Sequence, residues 1–254
     1  MPLFPLDRVR VARFDQQREL DLEEVAREVR AFDFPPNPLA EQDRALEFFE
    51  KVRPLLNVLA GLARPGERGI DISTGLGFLP VLLQRAGMEM VATERNPEHA
   101  VLAASHNIPV LPFWIGDPLP AAERSFDVVF FSLVLEYVRA SSVQVIEQLV
   151  RLLRPAGRFI LVVPNIARLA NLQALAAGET FLHPVPVEQA PKEREADHLE
   201  HVRDYSTREV VEALEAAGLE VRQVVTANWG PDGEPRPNAF SNDFIIAEAL
   251  YNAV

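Results

Sequence analysis

Cysteine is absent from all 254 residues. That removes disulfides, thiolate metal sites and cysteine nucleophiles together. No apolar run approaches the roughly eighteen residues of a membrane span. The opening residues, MPLFPLDRVRVARFD, carry charge throughout and lack the apolar stretch of a secretory signal, so a cytoplasmic protein is the expectation. Positive charge is scarce. Lysine occurs only at 51 and 192, and 25 Lys and Arg face 37 Asp and Glu, for a net charge of −12. Nucleic-acid binding needs a positive surface to neutralise phosphate, which this balance disfavours. Glycine is also sparse, 12 against 21 prolines, which suggests stiff loops. No G-x-x-x-x-G-K-[ST] stretch is present, which excludes a phosphate loop of the nucleotide-hydrolysing kind.

What is there is ordinary for a globular chain: 48% apolar residues, and length enough for a sizeable core. Residues 1–66 read as a helical leading segment. Asp21–Phe32 predicts an amphipathic helix with Leu22, Val25, Ala26 and Val29 on one face, acidic at its start and arginine-rich at its end. PPNP at Pro35–Pro38 cannot continue it. A second helical pattern runs over Leu39–Leu62, with Pro54 as a kink or restart. Both helices suit packing on the core as well as covering a substrate.

From Glu67 onward strand and helix patterns alternate. Strands are expected at Arg68–Ser73, Glu89–Thr93, Pro109–Phe113, Phe126–Ser132 and Arg158–Val163. Helices are expected at Phe78–Ala86, Pro97–Ala104, Ser142–Leu153 and Thr207–Ala217. Gly87 and Gly218 stand where helix ends want a left-handed residue, and Ser206 with Glu209 makes a capping box. Such alternation means a parallel sheet covered by helices on both faces. The ending differs: Leu219–Thr226 and Asp243–Ala249 are strands with no helix between them, most simply an antiparallel pair.

In an open parallel sheet, ligands bind at the carboxyl ends of the strands. After the first strand come Asp71 and the turn Ser73-Thr74-Gly75-Leu76-Gly77, followed at once by a helix. That geometry brings backbone N–H groups and a helix N-terminus to a ligand. After the second comes Glu94, seventeen residues past Gly77. Its carboxylate has two acceptor oxygens, enough for two ribose hydroxyls. After the third come Trp114, Ile115, Gly116 and Asp117, where an aspartate can accept from an adenine amine between apolar neighbours. After the fourth come Ser132, Leu133, Glu136 and Tyr137. Singly, each has a plainer role: Glu94 as a loop acid bonded to Arg95, Asp117 as the start of the turn before Pro118. In this order at successive strand ends they outline an adenosine-binding cleft.

From Glu67 to Ala249 the chain resembles a class I S-adenosylmethionine-dependent methyltransferase of the small-molecule type. The family's first motif, an aspartate strand followed by G-x-G-x-G, is matched by Asp71, Ser73, Gly75 and Gly77. Its ribose acid corresponds to Glu94 and its adenine aspartate to Asp117 in WIGDPLP. SFDVVFFSLVLEYV (Ser125–Val138, with Ser132 on the cofactor side), LLRPAGRFILVVPN (Leu152–Asn165) and STREVVEALEAAGLEV (Ser206–Val221) match further segments. The resemblance implies S-adenosyl-L-methionine as cofactor, and a Rossmann-like, doubly wound α/β sheet of about seven strands, mostly parallel with an antiparallel terminal hairpin, over residues 67–254. Ser73 departs from the family's glycine, and its hydroxyl can either bond the cofactor's methionine carboxylate or crowd it. A nicotinamide dehydrogenase would need a small residue where Pro80 stands. A non-catalytic cofactor- or partner-binding module on the same fold stays open, because no base is unmistakable.

Methyl transfer from a sulfonium is an in-line displacement that needs alignment above all, with a base only where the acceptor's pKa demands one. The acceptor site is expected from the leading helices and from an insertion at 165–205, read as a substrate lid. The insertion carries His183, His198 and His201. His201 and then His198 are the candidates for base or substrate hydrogen bond, against surface or structural roles, and Tyr137 is a candidate wall of the transfer site. Two histidines without a third ligand make no convincing metal site, so no metal is expected. His99 and His106 read as structural. Where the family's base-methylating enzymes carry an Asn/Asp-Pro-Pro-aromatic motif, this chain reads SLVLEY. An oxygen or nitrogen acceptor on a small molecule is the expectation.

Overall fold

A computed structural model describes residues 4–12, 16–32, 42–95, 97–181, 201–228 and 242–252. The leading segment supplies a two-residue strand β1 (Arg10–Val11) and helices α1 (Gln16–Ala31) and α2 (Gln42–Ala60). Alternation then begins: β2 (Arg68–Asp71), α3 (Phe78–Arg85), β3 (Glu89–Glu94), α4 (Val101–Ser105), β4 (Val110–Pro112), β5 (Phe126–Ser132), α5 (Ser142–Val150), β6 (Leu153–Pro164) and α6 (Leu169–Ala176). It closes with α7 (Thr207–Ala216), β7 (Leu219–Ala227) and β8 (Phe244–Tyr251).

Among the described residues the strands form one eight-stranded sheet in the order β1-β7-β8-β6-β5-β2-β3-β4. β8 lies antiparallel between β6 and β7, and every other pairing is parallel. The expected terminal hairpin is therefore present. Its last strand inserts beside β6, so β7 regains the direction of the parallel set. The eighth strand, β1, was not foreseen.

Both faces of the sheet are covered, which is why FDVVFFS reads as a nearly continuous apolar run. Val128, Phe130, Ile160 and Val162 point to the face covered by α1–α4. Val129, Phe131, Phe159 and Leu161 point to the face covered by α5 and α7. The expected α1 stripe, Leu22, Val25, Ala26 and Val29, is fully buried in the first of these cores. Each buried Leu or Val among them contributes about 1.5–3 kcal/mol. Ion pairs fix the same helix: Arg85 with Glu24 (2.7 Å) and with Glu28, His106 with Glu28 (2.9 Å), and Arg53 of α2 with Glu23 (2.7 Å).

α2 runs through Pro54 without a restart. The loss of one helical hydrogen bond there is outweighed by burial of Phe49, Val52, Leu55, Leu56 and Leu59. The region expected as helix Pro97–Ala104 opens as a 3-10 turn, Pro97–Ala100, before α4. Gly87 and Gly218 take positive φ of 92° and 82° after α3 and α7, and the Ser206–Glu209 capping box forms in full. PPNP at Pro35–Pro38, His183 and His198 lie outside the described residues.

Candidate active site

The turn after β2 is tied down from below by β3. Thr93 Oγ1 accepts from the Ser73 N–H (3.0 Å) and donates to the Asp71 carbonyl (3.4 Å). The Thr93 carbonyl accepts from the Thr74 N–H (2.8 Å). Thr74 Oγ1 donates to Asp71 Oδ2 (2.6 Å). Asp71 is buried, and that burial pushes its carboxyl up to about 7 against the lowering effect of the Thr74 bond, with the nearby Glu94 charge adding to the rise. Gly77 precedes α3 at φ 89°, and a Cβ there would stand 2.8 Å from the backbone nitrogen of Ala103. Only glycine lets α4 approach so closely.

Ser73 occupies the left-handed region at φ 56°. That conformation costs a non-glycine residue about 1–2 kcal/mol. Its Oγ is buried and has no hydrogen-bond partner. Gly75, two residues on at φ 57°, faces open space where a Cβ would meet nothing within 4 Å.

Glu94, at the end of β3 and only 9% exposed, clamps this turn. Its Oε2 accepts from the Gly75 N–H (3.0 Å) and its Oε1 from the Arg95 N–H (2.8 Å). His99 Nδ1 lies 4.0 Å from Oε1. The local bond to Arg95 and the bridge to the glycine turn thus coexist.

Two cavities flank this clamp. The smaller, about 170 Å³, is roofed by α2 residues such as Phe48 and Val52 and floored by Asp71, Ser73, Gly75 and Ser132. The larger, about 690 Å³, is bordered by Arg95, Trp114, Gly116, Tyr137, Gln148 and Val202, among others. The end of β5 borders both: Ser132 and Leu133 line the first, Val134 and Tyr137 the second. Leu133 also has a left-handed φ, 56°. The Arg95 guanidinium stacks on the Trp114 ring at 4.5 Å. Asp117 is exposed at the rim beside Gly116. Its N–H closes a turn onto the Trp114 carbonyl (3.0 Å), and its carbonyl accepts from Gln148 Nε2 (2.6 Å).

The acceptor-side candidates meet at the β5 end. The Glu136 carbonyl accepts from the N–H groups of Val202 (2.7 Å) and Arg203 (3.2 Å), which pins residues 201–205 there. The Tyr137 and His201 rings meet edge to face at 5.0 Å, and His201 Nδ1 is 2.7 Å from Asp204 Oδ1. Burial, with Glu136 and Asp204 adding to it, pushes the Tyr137 hydroxyl up to about 12, so at neutral pH it is a phenol and no base. Burial likewise raises the Glu136 carboxyl to about 8, and its Oε2 has no partner. Asp204 was not among the residues picked out from the sequence. It stands three residues from His201 in the sequence.

Comparisons with known proteins point to a family. A family profile described as "Methyltransferase domain" matches residues 42–224. The chain belongs to this methyltransferase family. Its fold is that of S-adenosylmethionine-dependent methyltransferases. A demethylmenaquinone methyltransferase of Beutenbergia cavernae is 31% identical over 157 residues, covering 60% of this chain and 65% of that protein. The methyltransferase thus spans just under two thirds of the length of that relative. Among solved structures, a SAM-dependent methyltransferase from Thermotoga maritima superposes with TM-score 0.57 at 17% identity, over 92% of this chain and 97% of that one. A chain from the complex of the Haloferax volcanii Trm112 methyltransferase activator with a methyltransferase gives 0.60 at 18%, over 84% and 94%. These likenesses establish the fold.

The residues present fit the cofactor. The orphaned Ser73 hydroxyl and the open space at Gly75 belong to the lining of the smaller cavity, and the Glu94 carboxylate holds the Gly75 N–H beside them. Among the described residues no group of His, Asp and Glu is arranged to hold a metal, and no helix is long and apolar enough to cross a membrane.

Proposed function

We propose that the methyltransferase moves a methyl group to an oxygen or nitrogen acceptor on a small molecule, with the cofactor lying across the Glu94 clamp. The single observation that carries this reading is the Glu94 carboxylate bridging Gly75 and Arg95 between the two cavities. In this reading Asp71, Ser73, Gly75, Gly77 and Ser132 surround the methionine end. Glu94 holds the ribose hydroxyls, and Asp117 with the Trp114 and Ile115 wall holds the adenine. Bound there, the cofactor supplies a methyl on a sulfonium. The protein's own part is alignment: the strained turn fixes one end, the clamp the middle, and the acceptor is held to near-attack distance. His201, with Tyr137 beside it, serves the acceptor side, and His198 belongs to the same insertion. The leading segment 1–66 and the insertion 165–205 are read as the acceptor-side cover of the domain at 67–254.

A second acceptor reading is favoured by one comparison. The B. cavernae relative is named for demethylmenaquinone, so a quinone of that kind belongs in the assay panel. Calorimetry with S-adenosylhomocysteine tests the cofactor site. Wild type is expected to bind, and Glu94→Ala to bind at least tenfold more weakly, because two ribose hydrogen bonds to a charged acceptor are worth about 1.5–3 kcal/mol each. Equal affinity in the two proteins would remove Glu94 from the site. Turnover of demethylmenaquinone with no turnover of O–H or N–H acceptors would replace the first acceptor reading by the second.

A further inference from the structure

We infer that Asp204 is a positioning residue for His201, holding its ring as the Nδ1–H tautomer so that Nε2 is the nitrogen left to accept a proton. This rests on the acceptor-side role given to His201 above. An ionised carboxylate only accepts hydrogen bonds. At 2.7 Å from Asp204 Oδ1, the Nδ1 of a neutral imidazole must therefore carry the hydrogen, and the other nitrogen is then the basic one.

The surroundings make this pairing rigid. The Asp204 side chain is 9% exposed and that of His201 is 30% exposed, so the acid is sheltered while the ring keeps access. Residue 202, next in the chain, borders the larger cavity, as does Tyr137, whose ring braces His201 edge-on. The backbone on either side is fixed. Val202 and Arg203 donate to the Glu136 carbonyl, and the Tyr205 carbonyl accepts from the Ile166 N–H (3.0 Å). Among the described residues, the charged or titratable groups facing the pair are few. Glu136 beneath is kept largely protonated by burial, Tyr137 is a phenol, and Arg203 is engaged with Glu209 and the Tyr205 ring. Among these groups Asp204 is the one in hydrogen-bond contact with the His201 ring.

The chemistry balances simply. As an acceptor O–H or N–H attacks, its heteroatom forms the bond to the methyl carbon and the carbon–sulfur bond breaks with its electrons going to sulfur. The acceptor's proton passes to His201 Nε2. The imidazolium so formed is stabilised by the Asp204 carboxylate, and the proton later leaves to water.

Long-range proton–nitrogen NMR of the uniformly labelled full chain tests this without any acceptor. The His201 ring is identified by its disappearance in His201→Gln. Wild type is expected to show the Nδ1–H tautomer for the neutral ring, and Asp204→Ala to shift it to the Nε2–H form that free imidazole side chains prefer. An Nε2–H ring in wild type overturns the inference, as does an unchanged tautomer in an Asp204→Ala protein with a native amide spectrum. If that variant does not fold, the wild-type tautomer decides alone. A parallel titration of wild type with S-adenosylhomocysteine separates the two readings, since absent binding counts against the cofactor cleft and leaves the tautomer result standing.

Discussion

Ser73 concentrates the tension of this site in one residue. It stands where the family carries glycine, it takes a left-handed φ of 56°, and its buried hydroxyl has no partner. Both features cost stability, the backbone about 1–2 kcal/mol and the unsatisfied hydroxyl about 1–3 kcal/mol. A residue held this way persists only where the surroundings over-determine it, here through the Thr93 and Glu94 bonds on either side. Two substitutions separate the two costs. Ser73→Gly removes both costs and is expected to stabilise the free protein by about 1–4 kcal/mol, after the entropy that glycine adds to the unfolded chain. Ser73→Ala keeps the strained backbone and gains less. If the hydroxyl bonds the methionine carboxylate, both variants bind S-adenosylhomocysteine about ten- to a hundredfold more weakly, the worth of one hydrogen bond to a charged group. Thermal unfolding and calorimetry on the same samples read both quantities. Unchanged affinity in both variants would mean the hydroxyl never meets the ligand.

At the scale of elements, the end of β5 is the hinge of the architecture, because the turn Leu135–Tyr137 both borders the larger cavity and anchors residues 201–205. Glu136 is the cost of that junction. Its carboxyl is raised from 4.5 to about 8 by burial, so between these values the folded protein holds a proton that the unfolded chain releases. Stability therefore falls as pH rises through this window, by up to about 1.4 kcal/mol per unit, and levels off above it. Glu136→Gln removes that dependence. Its melting temperature is expected to match wild type near pH 4.5 and to exceed it increasingly up to about pH 8. A constant difference across the range would show that Glu136 does not titrate as its burial requires. The elements themselves were largely legible, because the sheet is buried on both faces and its central strands show as short apolar runs. The misses share one cause, tertiary contact overriding local pattern. β1 is only two residues long and exists through its pairing with β7. β6 begins at Leu153 although Pro155 and Gly157 read as a turn, because a register shift opposite Phe126 absorbs them. α2 continues through Pro54 because its apolar face is buried. Thr93 looks like any strand-interior residue, and nothing in the sequence tells that its hydroxyl carries the turn before Gly75.

For the whole molecule, the cleft joins parts that the chain keeps far apart, from Phe48 on α2 to Val202 before α7, so a ligand lying across it ties together most of the fold. Ligand that binds only the folded state stabilises by about 2.7 kcal/mol at a hundredfold excess over Kd, which for a chain of this length is a rise of roughly 5–10 °C in melting temperature. The size of that rise should itself depend on pH, through Asp71. Its carboxyl, pushed up to about 7 by burial, is half protonated near neutrality, whereas a partner for the cofactor's ammonium must be ionised. Below pH 7, binding then has to expel a proton. Affinity for S-adenosylhomocysteine is expected to increase about tenfold per pH unit from pH 5 to 7 and to flatten above. Calorimetry at pH 6 in two buffers of different ionisation enthalpy should register close to one proton released per ligand bound. Asp71→Asn should bind weakly at every pH, with the slope and the proton release both gone. A wild-type affinity that is flat from pH 5 to 8 would place the ammonium elsewhere, and would leave Asp71 with the purely structural task of bonding the Thr74 hydroxyl and holding the turn.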